Sequence, residues 1–266
     1  MPEYPDQSIS DVTLLITHYN RSESLRRLLT TFHAYKVHFE DIVVSDDGSK
    51  KEHLDQLFSL QNEFGFNLVT TDVNKGLGNS INKGQDAVKT SYILYIQEDF
   101  VPKFAFINAL REGLKIMRDE KDWDLVRFYS FPYSPYPYLK PFNNEFSVMQ
   151  FSLSPWYINH LKFHMYSDHP HLKRKSFTEK FGRYLESKRG DVTEMDMCRR
   201  FLKTKGKALY FTNFNSLFEH DNPEDEPGLF RPEKEKTRKL SNIKMLYWLY
   251  LRYKTLKDTV VYLTNK

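Results

Sequence analysis

Three short acidic clusters in the 266-residue chain have the residue types to hold a cation or move a proton: Asp46-Asp47-Gly48-Ser49, Gln97-Glu98-Asp99 and Glu194-Met195-Asp196. Adjacent carboxylates repel, so they are usually kept where a cation or a ligand hydroxyl offsets the cost. Each cluster also has a plainer reading. Asp-Asp-Gly-Ser makes an ordinary turn, with Ser49 capping the helix that follows. Glu98-Asp99 can be a solvated acidic turn. Thr193-Glu194-Met195-Asp196 reads as a helix N-cap at Thr193 followed by acids favoured by the first-turn dipole. His220 closes the apolar stretch LYFTNFNSLFEH; a single loop histidine is ordinarily polar surface, and only beside a cation would its neutral imidazole suit Mn2+ better than Mg2+. His160, His164, His169 and His171 crowd together without a zinc pattern such as HExxH and are not assigned to a metal. The single cysteine, Cys198, excludes an intramolecular disulfide and a multi-cysteine metal site, and fits a reducing compartment.

The elements needed to position these groups follow from hydrophobic patterning. β-rich runs at 12–17, 42–45, 67–70, 92–96 and 125–129 alternate with amphipathic segments, predicting an α/β domain with a mostly parallel sheet. Leu25, Leu28, Leu29 and Phe32 form one helical stripe, and Leu54, Leu57 and Phe58 a second. Ligands of such sheets bind beyond the carboxyl ends of the strands, which singles out Thr17-His18-Tyr19-Asn20, Asp46–Ser49 and Gln97–Asp99. FPYSPYPYLKPF, with four prolines in twelve residues, forbids a helix or a central strand over 131–142 and predicts a loop. A helix is expected to start near Thr193, a strand near 208–211, and a basic, aromatic helix to fill 234–266.

A composition of 40% hydrophobic and 15% aromatic residues excludes disorder over most of the chain. A net charge of +4 suits a phosphate-bearing ligand but does not identify nucleic acid as a partner. No apolar run approaches the ~18 residues of a membrane span, and MPEYPDQSIS has no secretory pattern, so a protein of the cytoplasm is expected. Gly76-Leu77-Gly78 lacks the third glycine of a dinucleotide fingerprint and comes late in the domain.

Taken in order, VTLLITHYNR, DIVVSDDGS, NKGLGNSINKG and SYILYIQEDFVP resemble the nucleotide-sugar-binding half of inverting glycosyltransferases of family 2, which have the GT-A fold. The resemblance covers residues 10–120 well and continues more loosely to about 222. It implies that Thr17 and Asp47 contact the uracil and ribose of a donor and that Tyr19 and Asn20 belong to the donor pocket. It implies the same pocket for Asn74, Lys75, Gly76 and Asn82. Gln97-Glu98-Asp99 takes the place of the family's D-x-D motif, with Asp99 a ligand of Mn2+ or Mg2+, Glu98 reaching the ribose and Gln97 a departure from the usual Asp. Ile81 stands where many members have Arg, leaving Lys75 or Lys83 to neutralise diphosphate. GDVTEMDMCRRF looks like the family's E-D-x-D-L-C-x-R helix, which sets Glu194 on the general base, with Asp196 as the alternative. His220 matches the C-terminal metal histidine.

These parts predict a GT-A fold, a mostly parallel Rossmann-like sheet with flanking helices. Residues 1–130 form the nucleotide-sugar half, 131–232 the acceptor and base half, and 233–266 a basic aromatic helical extension. The function expected is inverting transfer of a hexose from a nucleotide diphosphate sugar, UDP-linked, to a saccharide or lipid-linked acceptor in polysaccharide synthesis. A non-catalytic nucleotide-sugar-binding module is the alternative, prompted by Gln97, Ile81 and the Glu in place of Asp at 194. The extension at 240–266 is expected either to contact the cytoplasmic membrane face or to pack on protein, including a second copy in a homodimer.

Overall fold

The computed structural model describes residues 4–220 and 244–264. The extension's residues 233–243 and 265–266, and the end of the expected acceptor half at 221–232, lie outside the described residues. The chain opens with β1 (Gln7–His18), α1 (Ser22–Ala34), β2 (Val37–Asp46), α2 (Lys51–Phe64), β3 (Asn67–Val69), α3 (Leu77–Ala87) and β4 (Tyr92–Gln97). It continues through β5 (Phe100–Pro102), α4 (Ala105–Asp119), β6 (Leu125–Arg127), β7 (Leu139–Pro141) and β8 (Phe146–Met149). A 3-10 turn, His160–Phe163, precedes β9 (His171–Arg174), α5 (Phe177–Phe181), α6 (Gly190–Lys203), β10 (Ala208–Phe211), β11 (Phe218–His220) and α7 (Lys244–Thr264).

The large sheet runs in the order β3-β2-β1-β4-β9-β6-β10-β8-β7. Strands β1 to β4 are mutually parallel, and β9 lies antiparallel between β4 and β6. Period-two alternation divides the core. Leu14, Ile16, Leu94 and Ile96 face α1, α2 and α4, whereas Leu15, Ile93 and Tyr95 face α3, α5 and α6. The order proceeds outward from β1 to β2 and β3 on one side and to β4 on the other. The carboxyl ends of β1 and β4 therefore flank the topological switch point, where Thr17 pairs in register with Gln97.

Several expectations need correction. Phe58 is 52% exposed, so the buried face of α2 is carried by Leu57 and Leu60 with partly buried Leu54. The proline-rich stretch does contain a strand, β7, but at the sheet edge, where a missing N–H costs least. Thr193 is not a cap: α6 begins at Gly190, and the buried Thr193 hydroxyl donates to the Leu185 carbonyl at 3.0 Å. Glu194 and Asp196 accordingly stand beyond the first turn, where the N-terminal dipole argument no longer applies.

Lys173 of β9 is wholly buried; its ammonium lies 2.9 Å from the Tyr184 hydroxyl and within 6 Å of the ring centres of Tyr95, Phe177 and Tyr184. Burial pulls its pKa from 10.5 to about 7. Between those values the unfolded chain binds a proton that the folded one does not, so this residue makes stability rise with pH from about 7 to 10, at up to ~1.4 kcal/mol per pH unit. Lys173→Met should remove that slope. Denaturant titrations of both proteins at pH 7, 8 and 9 check it, and parallel stability–pH curves would refute it.

Candidate active site

The first acidic cluster is fastened by a buried knot at the ends of β1 and β2. His18 and Asp46 are register partners, and Nδ1 of His18 lies 2.8 Å from Asp46 Oδ1. Asp46 also accepts the Gly48 and Ser49 backbone N–H groups at 3.1 Å, the Thr70 hydroxyl at 2.8 Å and the Ser49 hydroxyl. Burial alone would raise its pKa; the donors from His18, Ser49 and Thr70 outweigh burial and hold the carboxylate ionised far below the ordinary range. Asn20 takes a φ of 53°, a conformation Asn tolerates better than most residues, and its Oδ1 accepts the Lys50 N–H at 2.8 Å. Tyr19, beside it, is exposed.

Asp47 is committed to the neighbouring loop. Its carboxylate accepts the N–H of Lys75 at 2.9 Å and of Gly76 at 2.8 Å, while Asn74 Oδ1 accepts the same Gly76 N–H at 3.0 Å. Burial raises the Asp47 pKa against the lowering effect of those two N–H groups. Gly78 is demanded by close approach, since a Cβ there would stand 1.9 Å from the Leu185 carbonyl oxygen. Asn82 is a brace rather than a free amide: Oδ1 accepts the Tyr184 N–H at 3.0 Å, and Nδ2 donates to the Tyr184 carbonyl at 2.9 Å and to Glu186 at 2.8 Å. Ile81 points into the core, and the Lys83 ammonium donates to the Asp46 carbonyl. Thr17 shares a 3.0 Å hydrogen bond with the Tyr95 hydroxyl of β4.

The third part of the site comes from a separate two-stranded sheet. β5 follows Asp99 directly and pairs antiparallel with β11, setting Phe100 opposite His220. Nε2 of His220 thereby reaches 3.2 Å from Asp99 Oδ2, although 121 residues separate them. Arg21 Nη1 approaches the same oxygen at 3.0 Å and lies 4.0 Å from Glu98. Burial raises the Asp99 pKa, but hydrogen bonding and charge from His220, together with the Arg21 guanidinium, lower it further than burial lifts it. Asp99 Oδ1 is buried and, among the described residues, accepts no hydrogen bond. A carboxylate with an unused buried oxygen beside an imidazole is a donor pair that fits Mn2+ or Mg2+, with diphosphate and water completing the shell. Among the described residues no cluster of three or more His, Cys, Asp or Glu forms a larger metal cage.

The candidate base is brought to the same end of the sheet by β9. Because Tyr95 pairs with His171 in an antiparallel ladder, the residues preceding β9 lie beyond the carboxyl end of β4. Among them, Ser167 donates its hydroxyl to Glu194 Oε1 at 2.9 Å, and His169 packs against Phe100 and Phe131. Asp196 is held by Arg200, with Nε at 2.8 Å and Nη2 at 2.6 Å from one carboxylate oxygen. Sequence reasoning passed over Arg21 and Ser167. The only signal for Arg21 was its position directly after Asn20; nothing local to Ser167 announced a partner on α6.

The profile described as glycosyl transferase family 2 matches residues 13–182, more than half of the chain. The chain belongs to that family. Poly-beta-1,6-N-acetyl-D-glucosamine synthase of Staphylococcus epidermidis is 23% identical over 95 residues, covering 36% of this chain and 23% of the relative. The synthase of that name from Staphylococcus aureus is 23% identical over 100 residues, covering 38% and 24%. The chain thus spans about a quarter of the length of these curated relatives. Two solved structures share the GT-A fold. S. aureus TarS 1–349 in complex with UDP-GlcNAc has a TM-score of 0.58 at 12% identity, covering 88% of this chain and 66% of that one. Mannosyltransferase PcManGT from Pyrobaculum calidifontis, in complex with GDP-Man and Mn2+, has a TM-score of 0.55 at 12% identity, covering 95% and 69%.

Proposed function

We propose that the protein is an inverting glycosyltransferase that moves a hexose from a UDP-linked sugar to the hydroxyl of a saccharide or lipid-linked saccharide in polysaccharide synthesis. The observation carrying this reading is the meeting of Asp99, Glu98, His220 and Arg21 at the switch point between β1 and β4, next to the loops built by Asp46 and Asp47. Family membership and neighbours whose complexes contain UDP-GlcNAc or GDP-Man support a nucleotide-sugar donor.

Thr17, Tyr19, Asn20 and Asp47 line the uracil and ribose end. Asn74, Lys75 and Gly76 continue the pocket, Gln97 and Glu98 face the ribose, and Asn82 supports the segment above it through Tyr184 and Glu186. Asp99 and His220 hold a divalent cation, which when bound offsets charge on the departing diphosphate. Glu194 accepts the proton of the acceptor hydroxyl as its oxygen bonds to the anomeric carbon, and the bond from that carbon to the diphosphate oxygen breaks to release UDP. Attack from the face opposite the diphosphate inverts the centre. Glu194 is favoured over Asp196 because the latter is paired with Arg200, whereas Glu194 carries a neutral hydroxyl partner. Release of UDP from a panel of sugar nucleotides, with and without Mn2+ and saccharide acceptors, tests the reading. Binding of UDP without turnover of any sugar would leave the non-catalytic module instead.

The division at residue 130 into donor and acceptor halves belongs to this proposal, as do a cytoplasmic location and contact with the membrane. No helix of the described residues is long and apolar enough to cross a membrane. α7 packs one face on the domain, with Tyr262 against Phe151 and Phe163 and the Thr255 hydroxyl on the Ile158 carbonyl. Its other face exposes Leu246, Leu249, Tyr253, Leu256, Val260 and Leu263, and Arg252 stacks on Trp248, which is also exposed. Apolar bulk flanked by cations suits an anionic membrane interface. Sedimentation with vesicles containing anionic lipid should be strong at low salt and fall with added salt. It should be lost in the double variant Leu249→Glu, Leu256→Glu. Equal sedimentation of variant and wild type would refute the contact, and a homodimer dispersed by the same variant would assign the face to a second copy.

A further inference from the structure

The guanidinium of Arg21 stands where the proposed cation must act. The chain turns back at Asn20, and the Arg21 side chain crosses the switch point to place Nη1 3.0 Å from Asp99 Oδ2 and 4.0 Å from Glu98 Oε1, with 8% of the residue exposed. The Arg21 backbone N–H donates to Nε2 of His18 at 3.2 Å, and His18 is clamped through Nδ1 by Asp46. The knot that builds the nucleotide loops therefore also fixes where this guanidinium starts. Asp99 Oδ2 serves Arg21 and His220 together, while Oδ1 accepts no hydrogen bond from the described residues. A divalent ion and a guanidinium are rivals for one carboxylate in a site this buried, because two cations held against it repel strongly. Arg is also the side chain whose planar fork matches phosphate oxygens in bidentate fashion.

We infer that Arg21 is a donor-binding residue that exchanges partners: it holds Asp99, yields Oδ2 to the divalent ion, and turns its fork to the donor diphosphate. Metal and diphosphate then bind as a linked pair, each favouring the state the other needs. This rests on the donor reading proposed above.

Two titrations on the full chain, Mn2+ alone followed by electron paramagnetic resonance and UDP alone followed by calorimetry, test it through effects of opposite sign. Arg21→Met should bind Mn2+ about tenfold more tightly, its competitor being gone, and UDP about tenfold more weakly, shifts in the usual range of linked sites. A variant that weakens both ligands together, or leaves Mn2+ affinity unchanged, overturns the inference. Should Arg21→Met not fold, Arg21→Lys decides the matter. A point charge on a shorter, unforked side chain should lower UDP affinity several-fold with Mn2+ affinity at or above wild type, and a Lys variant equal to wild type in both overturns the exchange. Wild-type protein that binds neither UDP nor Mn2+ with UDP would count against the donor reading itself, a result separable from any effect of the Arg21 variants.

Discussion

Glu194→Gln retains UDP with unchanged affinity and loses at least ~100-fold in transfer rate, as expected when a general base is removed. The side chain keeps its length and its carbonyl oxygen, so the 2.9 Å hydrogen bond from Ser167 can persist and α6 has no reason to shift. What disappears is the capacity to take a proton. The matching change at Asp196 acts elsewhere: Asp196→Asn weakens an i, i+4 ion pair to Arg200, whose guanidinium also donates to the Phe181 carbonyl, and lowers stability with little effect on chemistry. Initial rates with saturating donor, set beside UDP calorimetry, check both. Full transfer in Glu194→Gln with loss in Asp196→Asn would reverse the assignment.

Asp99→Asn should remove the metal dependence of donor binding. Groups that merely orient metal ligands are worth ~10–100-fold in affinity, so loss of a ligand carboxylate should lower Mn2+-dependent UDP affinity by at least ~100-fold. The fold should survive, because Asn has the same shape, can still accept from Arg21 and His220 through its carbonyl oxygen, and leaves Glu98 beside the guanidinium. Calorimetry of UDP with Mn2+ against UDP with chelator gives the measurement, and a thermal melt gives the control for folding. Unchanged Mn2+–UDP affinity in a folded variant would show that the cation is held elsewhere.

The parallel half of the sheet was legible because its strands are buried on both faces and read as continuous apolar runs. VTLLIT, DIVVS and YILYI appear in the structure as parts of β1, β2 and β4. Their carboxyl ends carry the acids, so the positions of Asp46, Asp47, Glu98 and Asp99 follow from strand direction and chain order alone. Three short strands that carry the site were not legible, although β3, β6 and β10, equally short, were. β5, β9 and β11 have three or four residues each, too few to show a period, and they form because a partner edge is waiting. His220 meets Asp99 only through the β5–β11 pairing, and Ser167 meets Glu194 only because β9 runs against β4.

The start of α6 shows the same limit. Thr-x-x-Asp is a valid local capping signal, but the Leu185 carbonyl claims the Thr193 hydroxyl and the helix begins three residues earlier. Asp47 and Asn82 were recognised as site residues from motif position, yet their partners, the Lys75 and Gly76 amides and the Tyr184 backbone, are set by contacts across the fold. Residue type and order determined which groups stand at the carboxyl ends of the strands. Long-range pairing of short strands and buried hydrogen bonds decided which of them touch, because those interactions depend on groups distant in the chain that no local window contains.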